Sequence, residues 1–171
     1  EMPALSLNEK DEKFLKEIKD AEAEVEDLME KIELKEALKK IMMISKSANV
    51  YFQDNEPWRK IKEDKERAGT SLCVLVNVIK DIAIMIEPFM PETAAQIAEQ
   101  LGIELPKWKE LGKLTLLTGH KLGKPKAIFQ KIEEVKTLRE KYSGKQKKEE
   151  ISAVTDKKGA ELLNLKVGKV I

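Results

Sequence analysis

Cysteine and histidine are all but absent: Cys73 and His120 stand alone in 171 residues. A single cysteine excludes a disulfide framework and a cysteine metal site within one chain, and makes a reducing, cytoplasmic home the default expectation. A Ser-His-Asp or Cys-His site would have to use His120, and no residue near it in sequence supports that. The chain has no Gly-rich phosphate loop, zinc-type ligand set or H-E-x-x-H. Its carboxylates fall mostly at the spacings of solvated helix faces, so no acid–base pair stands out. Long apolar runs are missing too: Lys80-Asp81 and Glu87-Pro88 bracket the longest candidate, short of a membrane-spanning length. Nothing at the N-terminus reads as a signal peptide. These absences point to a binding module with no catalytic residues and no resident metal, and away from a membrane.

Charge, by contrast, is plentiful, at 37% of residues and nearly all Lys and Glu; the only arginines are Arg59, Arg67 and Arg139. The net charge of +1 hides an asymmetry. Residues 1–40 carry 13 acids and 8 bases, a balance of −5, whereas residues 120–171 carry 7 acids and 14 bases, a balance of +7. A basic C-terminal third suits a polyanion, and equally suits a solvated Lys-rich tail; both readings stay open. The length fits one ordinary domain with a short appendage, enough to bury a core. Glu1 in place of Met fits an internal residue of a longer gene product.

Hydrophobic periodicity predicts helices throughout. Ser6-Leu7-Asn8-Glu9 has the S-x-x-E form of a capping box, followed by Phe14, Ile18, Ala21, Val25, Leu28 and Ile32 at steps of three and four. Leu34, Leu38, Ile41, Ser45, Ala48 and Phe52 form a second stripe, and the short connection between the two predicts antiparallel neighbours. The charged run Lys60–Ala68 ending at Gly69 reads as a surface turn. From Thr70 to Ile86 the chain is apolar almost all round, too long for a strand, so a buried helix is expected, with a partner for its polar Asn77. Pro88-Phe89-Met90-Pro91 stops that helix and Pro91 opens another, which ends at Gly102. Residues 103–127 read as irregular, with Thr118–Pro125 an exposed loop. A last short helix carries Phe129, Ile132, Val135 and Leu138. The fold expected is all-α, an antiparallel helix bundle of roughly five helices. It occupies residues 1–142, with a linker at 143–150 and a further segment at 151–171.

The most informative stretch is Ala48–Trp58. It concentrates Tyr51, Phe52 and Trp58 in a chain only 5% aromatic, and Asp54-Asn55-Glu56-Pro57 breaks one helix before another begins. It reads as a helix end, a tight corner, and a short helix whose first turn presents Trp58. A helical Trp is ordinarily core, so the facing of Trp58 decides between a core aromatic and a ligand platform. Phe52 continues the apolar stripe and reads as core. Asn49 can hydrogen-bond a base or brace the corner backbone, and bracing is the favoured reading.

Asn49-x-Tyr51-Phe52 followed by Glu56-Pro57-Trp58 resembles the helix end and a-P-W or E-P-W corner of the anticodon-binding helical domain of methionyl-tRNA synthetases, in the class I aminoacyl-tRNA synthetase family. Two further matches follow in the family's order. Ile86–Pro91 resembles its L-x-P-[FIV]-[ML]-P stop, and Gly119-His120-Lys121-Leu122-Gly123-Lys124-Pro125 resembles its G-H-K-[IV]-G-K-P loop. Together they cover roughly residues 30–141. Related class I synthetases share the bundle and the P-F-M-P element, so the E-P-W corner and the G-H-K-L-G-K-P loop carry the specific identification.

The resemblance implies a helical anticodon-binding bundle and the anticodon loop of tRNA(Met) as partner. It also implies a parent enzyme that joins methionine to tRNA with ATP and Mg2+, and a catalytic domain of that parent as neighbour. The family's H-I-G-H-like and K-M-S-K-S signatures are absent from this sequence. So is the Asn…Arg pair that the family uses on a preceding helix, since no arginine occurs before Arg59. The implied RNA-binding residues are Trp58 as a stacking platform, with Asn49, Arg59, His120, Lys121 and Lys124. Leu163–Ile171 resembles the opening strand of a C-terminal tRNA-binding or dimerisation domain, which implies a homodimer made through residues beyond this chain. The alternatives are a helical protein-interaction module, or the anticodon domain of a leucyl, valyl or isoleucyl enzyme.

Overall fold

Five helices follow one another in the residues described by this computed structural model, 6–117 and 119–129. They are α1 (Glu9–Glu30), α2 (Leu34–Asn55), α3 (Pro57–Glu63), α4 (Lys65–Ile86) and α5 (Pro91–Leu101), followed by a 3-10 turn at Trp108–Glu110. The chain divides into two compact units, Glu1–Ile128 and Phe129–Ile171, and these elements all belong to the first. The helix expected beyond Phe129, the linker at 143–150 and the segment 151–171 lie outside the described residues.

α1 starts two residues later than the capping-box reading placed it. Asn8, not Ser6, is the N-cap: its side chain accepts from Asp11 N at 3.0 Å, and Asp11 Oδ2 accepts from Asn8 N at 3.0 Å. An aspartate at the third helical position serves the reciprocal role expected of Glu9. The helix buries Phe14, Ile18 and Val25 as the periodicity predicts. Ile32, expected to extend that stripe, is 77% exposed and takes φ +61° just past the helix end. This left-handed position lets Glu33 N reach Leu28 O and satisfy the last turn, a conformation that costs a β-branched residue about 1 kcal/mol. The turn brings α2 back against α1, and Lys40 pairs with Glu24 across the two.

The buried face of α2 is Ala37, Ile41, Ile44, Ala48, Tyr51 and Asn55. The sequence stripe is right at Ile41 and Ala48, with Leu38 and Phe52 partly buried against the core, and is displaced at Leu34 and Ser45, which are exposed. Tyr51 takes the core place because its ring stacks on Phe14, centroids 4.1 Å apart, and its hydroxyl meets the buried Asp11. A tyrosine can enter a core when its polar tip finds a partner.

α4 is the hub and packs against each of the other four helices. It begins at Lys65, capped by Asp64, whose side chain accepts from Arg67 N at 2.9 Å. Residues 65–69 are therefore helix, not a surface turn; the cap supplies the start signal, and Gly69 lies inside the helix at the modest cost such a glycine carries. α4 also corrects the expectation on apolar runs. By length and composition alone this 22-residue helix is apolar enough to cross a membrane, with a window of mean hydropathy 1.8. It is instead the central helix, 72% of that window being covered by the rest of the fold.

The irregular segment after α5 closes over α4. Asn77 Nδ2 donates to Leu116 O at 2.9 Å and its Oδ1 accepts from Leu116 N at 3.0 Å, so the expected partner of Asn77 is one backbone unit held from both sides. Cys73 Sγ donates to the same carbonyl at 3.1 Å. Lys80, fully buried, donates to the carbonyls of Glu110 and Lys113 and pairs with Asp81 at 3.1 Å.

Candidate nucleic-acid interface

The corner between α2 and α3 is one residue deep. Glu56 adopts φ +42°, ψ +53°, closing α2 and opening α3 at once, and Pro57 fills the first position of α3 with its ring buried. Pro at that position needs no N–H and arrives with its φ preset. Trp58 follows in the first turn, 47% exposed, and leans on Phe52 with ring centroids 5.1 Å apart and planes at 55°. Phe52 is thus the bracket beneath Trp58, neither fully core nor free. Asn49 lies one turn before Phe52 on the same side of α2 and is exposed. The bracing role expected of Asn49 falls to Asn55, which is buried and donates from Nδ2 to Tyr51 O at 2.9 Å. Arg59 reaches back to Glu56, Nη1 to Oε2 at 3.1 Å, with both side chains in solvent.

Behind the corner lies a charged network. Arg67 Nη1 donates to Asp11 Oδ2 at 2.5 Å, and Nη2 donates to Asp11 Oδ1 and to Asn55 Oδ1, both at 2.6 Å. Tyr51 Oη donates to Asp11 Oδ1 at 2.5 Å. Burial alone would raise the Asp11 carboxyl, but the bonds from Arg67, Tyr51 and Asn8 N outweigh it and hold the group below its ordinary range. Burial, then Asp11, pushes the Tyr51 hydroxyl up, so it stays a donor. Tyr51, Asn55 and Arg67 of this network help to line an open groove of about 910 Å3, together with Lys10, Lys13, Lys46 and Lys60. Sequence reasoning missed Asp11, Asn55 and Arg67. The spacing Asn8–Asp11 and the rarity of arginine were visible, but nothing linear links Asp11 to an arginine 56 residues on.

The second group of expected residues lies elsewhere in the same unit. His120 is half-buried, its Nε2 2.6 Å from Leu101 O at the end of α5. Gly123 N donates to Gln100 O at 2.9 Å, and Lys126 N to Gln100 Oε1 at 3.0 Å. A Cβ on Gly123 would collide with the Glu99 carbonyl, so the backbone of this loop must pass the helix end without a side chain there. The loop is therefore tied to the C-terminus of α5, while Lys121 and Lys124 remain exposed. No hydrogen bond or ion pair among the described residues joins this loop to Trp58, Asn49 or Arg59.

Comparisons with known proteins bear on this geometry. The family model described as the anticodon binding domain of methionyl tRNA ligase matches residues 3–147. A methionine–tRNA ligase of Bacteroides fragilis (strain YCH46) is 38% identical over 129 residues, covering 75% of this chain and 19% of that protein. A human protein named as the cytoplasmic methionine–tRNA ligase is 34% identical over 155 residues, covering 86% of this chain and 17% of that protein. The crystal structure of ligand-free Mycobacterium tuberculosis methionyl-tRNA synthetase superposes with a TM-score of 0.70 at 26% identity, over 77% of this chain and 28% of that one. The chain thus spans about a fifth of the length of the curated relatives it matches. With its E-P-W corner and tied-down G-H-K-L-G-K-P loop, the chain belongs to the family of anticodon-binding domains of methionyl-tRNA ligases.

Proposed function

We propose that this chain forms the tRNA-reading part of a methionine–tRNA ligase and that Trp58 is a platform for an unstacked base of the anticodon loop of tRNA(Met). The observation that carries the reading is the half-exposed Trp58 ring, seated on Phe52 at a corner whose backbone is closely constrained. Single-stranded RNA is read by stacking on aromatic faces and by hydrogen bonds to base edges. Asn49, exposed one turn before Phe52, would meet a base edge. Arg59 can exchange Glu56 for a phosphate, and Lys121 and Lys124 can position backbone without reading sequence. His120 contributes by holding their loop on α5.

The parent enzyme would attach methionine to tRNA in the cytoplasm, with this unit beside its catalytic domain and with dimerisation through a C-terminal domain continuing from residues 151–171. ATP and Mg2+ would serve the catalytic part of that enzyme. Exposed Met42, Met43 and Val50 on α2 favour a second reading, in which the bundle docks on protein.

Filter binding of an anticodon stem-loop RNA across a salt series separates the two. Base stacking is worth about 1–3 kcal/mol, so Trp58→Ala should weaken binding by about 5- to 150-fold with helicity unchanged. No RNA binding at low salt, or equal binding by the variant, would favour the protein-docking reading.

A further inference from the structure

We infer that Arg67 is a positioning residue for Trp58, acting through Asn55; the inference rests on the base-stacking role proposed above for Trp58. The corner and α3 form an excursion that leaves the bundle at Asn55 and returns at Arg67, 12 residues later. The Arg67 guanidinium closes this loop at its base. One arm reaches Asn55 Oδ1, and the fork as a whole is seated on Asp11 of α1, which is completely buried. Asn55 is also bonded to Tyr51 O one turn earlier, so the last residue of α2 is held from inside and from outside its own helix.

Only two residues separate Asn55 from Trp58, and neither is free to absorb a displacement. Glu56 sits in the left-handed region at φ +42°, and Pro57 has its φ fixed by a buried ring. The lever from Asn55 to Trp58 is short and stiff. A shift at Asn55 therefore moves the indole relative to Phe52 and changes the face presented to a base. Helix ends ordinarily fray because their last carbonyls lack partners. Here the final turn is pinned by a side chain from the far side of the excursion, which preorganises the platform so that binding need not order it.

The planar fork is essential to this arrangement. A lysine at 67 would still neutralise Asp11, but one ammonium cannot cover both Asp11 oxygens and Asn55 in the same geometry. The expectation is that Arg67→Lys and Asn55→Ala each weaken binding of the anticodon stem-loop RNA to the full chain by about 5- to 10-fold, part of the whole stacking contribution. The deciding readout is a double-mutant cycle with Trp58→Ala, checked by circular dichroism and melting. If Arg67 acts through Trp58, either change made on the Trp58→Ala background alters affinity by less than about 2-fold. A merely structural role would lower melting temperature and cost the same affinity on both backgrounds, which overturns the proposal. Equal binding by the unaltered chain and both clamp variants, with Trp58→Ala still weakened, overturns the positioning role and leaves base stacking standing. Equal binding by Trp58→Ala itself overturns the stacking role and the positioning role with it. Should Arg67→Lys fail to fold, Asn55→Ala decides alone, because it leaves the Asp11–Arg67 pair intact. Loss of fold in both variants would make the pair a fold determinant and overturn the proposal.

Discussion

Glu22 of α1 and Asp81 of α4 are two carboxyl groups buried side by side; Asp81 Oδ1 meets the fully buried Lys80 at 3.1 Å, whereas Glu22 Oε1 has no hydrogen-bond partner. Burial, then the neighbouring Asp81, pushes Glu22 up to about 8 from an ordinary 4.5. Asp81 is raised as well, by burial, with Lys80 opposing. A carboxyl that binds its proton more tightly when folded contributes stability that is complete below pH 4.5 and is lost as pH rises through about 8. The melting temperature should therefore fall between about pH 5 and pH 9, on the order of 5 °C or more, and Glu22→Gln should flatten the fall. A thermal melt series that keeps the full slope in Glu22→Gln would assign it to Asp81 instead. Asp11 works in the opposite sense and in a separate window: held low by Arg67 against its own burial, it adds stability above its ordinary range that is lost as the solution turns acid. At this scale sequence reading errs by single positions. Tyr51 and Phe52 are both aromatic and adjacent, and the choice of which enters the core depends on Phe14 and Asp11, 37 and 40 residues away.

The elements themselves were largely legible. The apolar content from Thr70 to Ile86 announces a buried helix, Pro91 and Gly102 bound α5 as predicted, and Gly102 does adopt φ +69°. The start of α4 was not legible, because a charged run ending in Gly69 resembles a turn unless Asp64 is known to cap the helix. Nor was the strap formed by residues 110–117, which has no periodicity of its own and is ordered by α4. Asn77 is the test of that strap. Asn77→Ala leaves both polar groups of the Leu116 backbone unit without this partner inside the fold, at a cost of about 1–3 kcal/mol. Hydrogen exchange should show the Leu116 amide opening faster while α1 and α2 keep their protection. Unchanged exchange at Leu116 would mean that the strap is held elsewhere, through Lys80 and Cys73.

For the whole molecule, the charge asymmetry sets an expectation independent of the corner. Residues 120–171 carry a balance of +7, so RNA affinity should fall steeply with salt, the logarithm dropping by about 0.7–0.9 per phosphate contact for each tenfold rise. Replacing Lys145, Lys147 and Lys148 by Gln should flatten that slope without changing the loss caused by Trp58→Ala. Filter binding across the salt series checks both, and an unchanged slope would return these lysines to a solvated tail.

The sequence by itself determined the class of fold and the family, because periodicity, proline and glycine punctuation and three ordered motifs are local properties of the chain. It also determined that Trp58 stands at a corner. Only the tertiary structure decided which way Trp58 faces, that Phe52 supports it, and that Asn55 rather than Asn49 braces the turn. It alone joined Asp11, Asn55 and Arg67 behind the corner. The reason is physical: a helix turn is set by neighbours three and four residues apart, whereas a fork of hydrogen bonds on a buried carboxylate is set by where three helices meet.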